Sequence, residues 1–446
     1  MSIYPYIASR IVYPVGDMIF GTHIMKSLKE LERKQWWTVE AIKANQDSRL
    51  NKLIKHSYEN VPYWRELFSK LKLKPADIRT RDDLSKLPVL SKDDIRKNLN
   101  SMLAGNFPVR RFIEQHSSGS TGEPLRYYSG KHHYSWRLAS MFRFWKWAGY
   151  EFGQSWLRVS LWERNSLKDK IWDFASRCNY ISLFEFNKES LMKSRQTLER
   201  YKPKLVRGYA GALYIIADYL DKAGQHFDFV RSVITTGDIL FPHYRKKIEK
   251  VFNTKVFDTY GGEGISISGQ CEKGSYHIDD NNVILEFLDD DGNSAKTDQL
   301  GNIIVTDLNN FCMPFIRYAI QDIGVLKTGN CDCGRRLAMM EQPQGRDTDI
   351  IYLSNENYLI VHFFTGLFEF YDEVNQFQVE QTGTDEIRLK LCVSKNFNDR
   401  ILRQIKQKIR SGAGCKIYIN VDIVDTIPPT QSGKRRFVVS KARVLS

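Results

Sequence analysis

Between Trp156 and Tyr260 short apolar or β-branched runs alternate with helical stretches, and this alternation limits the fold more than any other feature of the chain. Trp156 to Leu161 alternates like a strand, and Lys168 to Arg177 and Lys188 to Arg200 carry helical periodicity. Leu205 to Tyr209 reads as a buried strand, Ala212 to Ala223 as a helix and Ser232 to Thr236 as a strand. Pro242 to Val251 follows as a helix and Lys255 to Tyr260 as a further strand. Strands that alternate with helices build a parallel sheet layered between helices. Such sheets bind ligands beyond the carboxyl ends of their strands, where Thr236-Gly237-Asp238 and Tyr260-Gly261-Gly262-Glu263 fall.

The rest of the chain differs in kind. With 446 residues it exceeds one ordinary core, so two or three domains are expected. Residues 1–26 mix aromatic and apolar side chains and are expected to pack back on the fold or onto a neighbouring subunit of a homodimer. Ser27 to Phe68 is helical in pattern, broken at Asn60-Val61-Pro62-Tyr63-Trp64, and Ser91 marks a helix start at Lys92. Lys131 to Gly149 is a helix rich in Trp, Phe and Ala. The pair His132-His133 at its start is expected to face solvent. From Tyr276 to Tyr318 short strands alternate with Asp/Gly turns, an antiparallel section. The end of the chain has the order β-β-α-β: strands at Val374 to Glu380 and Glu386 to Val393, an amphipathic helix at Phe397 to Ser411, and a strand at Lys416 to Ile423.

Composition excludes several classes. At 42% hydrophobic and 26% charged residues the chain is globular rather than disordered. It has no apolar run long enough for a transmembrane helix and no secretory leader, which points to the cytoplasm. The net charge of +14 admits anionic partners, but it is spread along the chain without a basic block or nucleic-acid motif, so no nucleic acid is expected.

His116-Ser117-Ser118-Gly119-Ser120-Thr121-Gly122-Glu123 lies between two short strands, Phe112 to Gln115 and Leu125 to Tyr128. Glycine lets a backbone approach a ligand, and hydroxyls with consecutive N–H groups can cradle an anion. Taken alone, such a stretch is more often a hairpin turn. It lacks the Gly-Lys-Ser/Thr and following helix of a Walker loop.

The ordered set of motifs resembles the adenylate-forming ligases. It consists of the Ser/Gly/Thr loop, Tyr260-Gly261 with Glu263, Arg317-Tyr318 followed by Asp322, Gly345-Arg346, and Gly433-Lys434 near the end. Asn60-Val61-Pro62-Tyr63-Trp64 and Leu87-Pro88-Val89-Leu90-Ser91-Lys92 are similar to the branch of phenylacetate–CoA ligase and CapK-type proteins. The resemblance implies an α/β protein with a large multi-layer N-terminal adenylation domain, residues 1–344, and a small mobile C-terminal α+β domain, residues 345–446. It implies ATP-dependent activation of a small carboxylic or amino acid as an adenylate, then transfer to CoA or an amine. The CapK-type likeness adds a role in surface polysaccharide biosynthesis.

Residue by residue, the resemblance assigns Ser117, Ser118, Gly119, Ser120, Thr121 and Gly122 to the ATP phosphates, with His116 lining the site. Thr236, Gly237, Asp238, Tyr260, Gly261 and Gly262 bracket the nucleotide, Glu263 holds Mg²⁺, and Asp322 takes the ribose hydroxyls within a motif begun by Arg317. Lys434 is the catalytic lysine and Arg346 marks the hinge. There are three departures: one residue fewer than usual between Tyr260 and Glu263, Gln321 in place of a glycine, and an unclear hinge at Arg346-Asp347-Thr348-Asp349. The first keeps open a degenerate, non-catalytic nucleotide-binding member as an alternative, and a basic RNA-binding scaffold is a second.

A separate constellation is Cys271-x5-His277 with Cys331-Asp332-Cys333. Three thiolates and one imidazole form a usual closed structural Zn²⁺ set, with buried free thiols as the alternative. Cys178, Cys312, Cys392 and Cys415 are expected in the core.

Overall fold

The computed structural model describes every residue except 1–3, 109–111, 117–124, 161–165, 183–187, 290, 344–350, 356, 360, 369, 372, 428–436 and 441–446. Proline and polar caps cut the N-terminal region into helices. Tyr4–Ile7, a π turn at Ala8–Val12 and Tyr13–Phe20 follow one another and end on Gly21, whose φ of +62° suits glycine. Asp17 then caps the next helix, Ile24–Lys34, accepting from the N–H groups of Ile24 (2.9 Å) and Met25 (2.8 Å). The break expected at Asn60 is where Val39–Asn60 stops and Pro62–Lys70 begins, with Pro62 in the first turn. A second break, at Trp36 to Thr38, is absent from the hydrophobic pattern; there Thr38 caps the following helix through Ala41 N–H. Ser91 and Asp94 form the capping box that starts Lys92–Asn98.

The described chain forms two compact units. The first comprises residues 1–115, 126–151 and 257–345. Its strands run, in spatial order, Val283–Leu288, Leu300–Asp307, Tyr318–Lys327, Met339–Met340, Tyr276–Ile278, Ile265–Gln270 and Val256–Gly262, every pairing antiparallel. The helix Lys131–Trp147 packs on this sheet, with Phe144 against Gly269 and the fully buried Arg143 guanidinium meeting Asp279 at 2.6 Å. His133 is buried rather than facing solvent, because its ring lies against Asp307 at the end of strand Leu300–Asp307.

The second unit comprises residues 116–125, 152–256 and 346–446. Its parallel sheet is the one the alternation predicts: Ser232–Thr236, Leu205–Tyr209, Trp156–Ser160 and, at the edge, Cys178–Ser182. That edge strand was not expected, since Cys-Asn-Tyr-Ile-Ser carries too few β-branched residues to announce itself. Helices Leu167–Ser176, Lys188–Tyr201, Ala210–Lys222 and Pro242–Phe252 match the expected ones to within two residues at each end. The C-terminal part is α+β: strands Tyr418–Ile423, Glu386–Val393, Val374–Gly383 and Val438–Ser440 in spatial order, with Asp399–Ala413 as its amphipathic helix. Among the described residues no helix is long and apolar enough to cross a membrane.

Candidate active site

The first unit gathers Tyr260, Glu263 and Asp322. Strands Val256–Gly262 and Ile265–Gln270 form a hairpin in which Gly262 pairs with Ile265, leaving Glu263 and Gly264 as a two-residue turn. Both have positive φ, +47° and +73°, as a tight turn matching the strand twist requires. A non-glycine residue held there is strained, and strain of this kind concentrates at functional positions. The turn also accounts for the short Tyr260–Glu263 spacing. A bulge at Tyr260/Gly261 takes up the register, and Gly261 sits where a Cβ would be 2.2 Å from the Ile265 carbonyl oxygen.

Asp322 is presented by Tyr318–Lys327, and its Oδ2 accepts the Tyr260 hydroxyl at 2.9 Å. Gln321, standing where the family motif has glycine, adopts φ +70°, the left-handed conformation that glycine takes without cost. The hairpin lies against this strand: a Cβ on Gly262 would come within 2.9 Å of Ile320. The turn is also close to the hairpin that frames the Ser/Gly loop, since a Cβ added to Gly264 would be 2.8 Å from Tyr127 Oη and 3.0 Å from Gln115 Oε1. The arms of that hairpin are Ile113–His116 and Arg126–Ser129, cross-linked by Tyr127 Oη donating to Gln115 (3.0 Å). Residues Ser117 to Gly122 themselves lie outside the described residues, as do Arg346 and Lys434.

Lys92 is the residue that sequence reasoning missed. Its ammonium lies 3.2 Å from Glu263 Oε1, with the two side chains only 4% and 6% exposed. It arrives there because the preceding segment makes a single parallel bridge to Tyr318: Leu90 N–H donates to the Arg317 carbonyl (2.8 Å) and Ala319 N–H to the Leu90 carbonyl (2.9 Å). The signal was present in the Leu87-to-Lys92 motif, a polar residue closing an apolar run, but nothing local says what it faces. Arg317 secures the same segment. Its guanidinium donates to the Leu87 carbonyl and holds Glu286 at 2.9 Å, so it is a buried strut that anchors the Lys92 segment. Burial pushes the Glu286 carboxyl up, and the Arg317 contacts pull it back toward the ionised form.

In the second unit, Thr236, Gly237 (φ +81°) and Asp238 follow the end of strand Ser232–Thr236, at its carboxyl end as expected. Asp238 Oδ2 accepts the Gly211 N–H at 3.1 Å, capping the first turn of helix Ala210–Lys222.

The four residues of the metal constellation meet. The ligand atoms of Cys271, His277, Cys331 and Cys333 all lie within 4.8 Å of one another. Cys271 Sγ and Cys331 Sγ are 3.6 Å apart, and Cys333 Sγ and His277 Nε2 3.2 Å. Two thiolates on one tetrahedral zinc, with bonds of about 2.3 Å, stand about 3.8 Å apart, so the donor set fits the ion. Two tight turns present the thiols, Gly274 N–H donating to the Cys271 carbonyl (2.8 Å) and Gly334 N–H to the Cys331 carbonyl (3.0 Å). His277 Nδ1 faces the Leu337 carbonyl at 3.2 Å, which leaves Nε2 as the ligand atom. Burial pulls His277 down to about 4 and pushes the Cys271 thiol up to about 12. Ile42, Phe144, Trp147 and Leu337 enclose the cluster, and Arg335, ion-paired to Glu272, stacks 4.5 Å from the Trp147 ring.

Residues 351–441 match the CapK C-terminal domain family. Over 411 residues the chain is 24% identical to Protein CapK of Staphylococcus aureus, covering 89% of each. It is 22% identical over 437 residues to the phenylacetate-coenzyme A ligase of Thermus thermophilus, covering 90% of this chain and 96% of that one. The fold is similar to that of 2-hydroxyisobutyryl-CoA ligase in the postadenylation state with R3-HIB-AMP, with TM-score 0.61, 16% identity and 92% coverage of both chains. The same ligase with 2-HIB-AMP and CoA in the thioesterification state gives a TM-score of 0.62 at 16% identity.

Proposed function

We propose that the chain is an adenylate-forming ligase of the branch of phenylacetate–CoA ligase and CapK-like proteins, which activates a small carboxylic acid with ATP and passes the acyl group to CoA. The carboxylate oxygen attacks the α-phosphorus, forming the acyl–oxygen–phosphorus linkage of the adenylate, and pyrophosphate leaves with the electron pair of the broken P–O bond. The thiol of CoA then displaces AMP. Negative charge builds on phosphate in the first step, so the work falls to cations and positioned donors rather than to a general base.

The observation that carries this reading is the convergence of Tyr260, Asp322 and the strained Glu263 on one hairpin and its neighbouring strand. Asp322, oriented by the Tyr260 hydroxyl, accepts the ribose hydroxyls. Glu263 is a hard oxygen ligand suited to Mg²⁺, which supplies charge neutralisation on the phosphates when bound. Lys92 holds the Glu263 carboxylate in place and keeps positive charge beside the phosphate path. Ser117 to Gly122 take the outer phosphates and Lys434 the α-phosphate. Arg317 serves as the anchor of the Lys92 segment rather than as a nucleotide ligand. In this reading residues 345–446 serve as the mobile C-terminal domain of the second half-reaction. The Cys271/His277/Cys331/Cys333 cluster holds a structural Zn²⁺ that ties two loops of the first unit together.

The test is ATP–pyrophosphate exchange over a panel of aliphatic, aromatic and amino acids, followed by thioester formation with CoA. One acid class is expected to support exchange, and Lys434→Ala and Asp322→Ala to lower it at least 100-fold. Nucleotide binding without exchange for any acid would favour the degenerate alternative. Exchange followed by transfer to amines but not to CoA would move the acceptor from thiol to amine.

A further inference from the structure

The helix Lys131–Trp147 begins on Gly130 with no side chain capping its first turn and no acidic residue in that turn. Glycine is needed there because a Cβ would lie 2.6 Å from Cys312 Sγ. The first-turn residues Lys131, His132 and His133 line a cavity of ≈ 400 Å³, within the range of small-molecule sites. Its other walls include Phe107 and Phe311, and no acidic residue is among the described residues that line it. The His56 ring braces both phenylalanines edge-on, with centroids 6.0 and 5.2 Å away. His23 Nε2 meets His132 Nδ1 at 3.1 Å.

His133 supplies the second, independent indication of a ligand. It is 3% exposed, and its Nε2 lies 3.1 Å from Asp307 Oδ2. Its Nδ1 is buried and has no hydrogen-bond partner among the described residues. A buried polar atom left unmade costs about 1–3 kcal/mol, and folded proteins rarely keep one without use. With Asp307 accepting from Nε2–H, Nδ1 is a bare acceptor and calls for a hydroxyl or N–H donor. The open helix start and Lys131 call for an anion. The aromatic wall calls for an apolar body.

We propose that this cavity is a second ligand site, sharing no residue with the adenylate site, for a small aromatic hydroxycarboxylate. The carboxylate sits on the first-turn N–H groups and Lys131, the hydroxyl donates to His133 Nδ1, and the ring lies between Phe107 and Phe311. Mandelate has all three features; mandelamide lacks the charge and phenylacetate the hydroxyl.

Two measurements on the full chain test this. In crystals grown with 4-bromomandelate, the bromine anomalous peak is expected beside Phe107 and Phe311. In calorimetric titrations, mandelate is expected to bind at least ten-fold more tightly than mandelamide or phenylacetate, and Lys131→Glu and Phe311→Ala to weaken it at least ten-fold. An acid in the first turn favours a helix, so the Lys131→Glu protein should melt no lower than the parent while its binding falls. A bromine peak absent from the cavity, or mandelate binding that is equal in the parent and Lys131→Glu proteins, overturns the site. Equal binding of phenylacetate and mandelate overturns the role of His133.

Discussion

Replacing Lys92 by Met keeps the apolar stem and deletes the ammonium 3.2 Å from Glu263. Both side chains are almost wholly buried, so the carboxylate is left without water or cation. Breaking a buried pair from one side costs about 3–5 kcal/mol. The expected loss is therefore about 3–5 kcal/mol, or roughly 6–20 °C of melting temperature for a unit of this size. Glu263→Gln alone should cost less, because the longer Lys92 stem can carry its charge toward water. The double variant Lys92→Met/Glu263→Gln should recover at least about 2 kcal/mol of the Lys92→Met loss, since neither charge remains. Thermal and urea melts of the four proteins give the coupling, and pyrophosphate exchange reports whether the site survives. A coupling below about 0.5 kcal/mol would show that the pair is not desolvated, and the positioning role of Lys92 would fall with it.

Metal analysis of the purified protein should find one zinc per chain, and Cys333→Ser should lose it and melt at least about 10 °C lower; metal-free protein of unchanged stability would refute the structural role. Burial pushes the Asp280 carboxyl up to about 7, against the Ala338 N–H at 2.6 Å and with help from Asp279. Between its ordinary value of 3.8 and about 7 the folded chain then holds a proton that the unfolded chain has lost. Stability therefore falls as pH rises through that window and levels off above it. Asp280→Asn keeps an acceptor for Ala338 and should remove a decline on the order of 2–4 kcal/mol, read from urea midpoints at several pH values; parallel profiles for the two proteins would contradict it. Two backbone substitutions should act in opposite directions: Gly264→Ala, at φ +73° and 2.8 Å from Tyr127 Oη, should destabilise by about 1–3 kcal/mol, while Gln321→Gly, at φ +70°, should be neutral or stabilise by up to about 1 kcal/mol.

Elements with a local cause can be read from the residues alone. The parallel strands Trp156–Ser160, Leu205–Tyr209 and Ser232–Thr236 and their helices were legible because burial on both faces imposes apolar runs of strand length, whereas the edge strand Cys178–Ser182 was not. The C-terminal β-β-α-β order was legible in the same way, and Ser91 with Asp94 announced a helix start that depends on side chains three residues apart. The four metal-ligand candidates were readable as residue types, since few other arrangements use three cysteines and a histidine, but only the tertiary structure brought 271–277 and 331–333 together. Residues whose meaning is set by distant partners were not legible. Lys92 reads as a surface lysine until Leu90, two residues before it, is paired with Tyr318 far along the chain. Arg317 reads as part of the nucleotide-binding motif until Glu286 and the Leu87 carbonyl claim its donors. The missing residue before Glu263 reads as damage, yet the positive φ values at Glu263 and Gly264 make it a hairpin turn. His133 looks like a solvent-facing helix start, yet it is buried against Asp307, a strand residue from another part of the chain. Periodicity reports which face of an element avoids water; it carries no information about which distant group supplies the covering, and charge pairing, turn conformation and cavities all depend on that second fact.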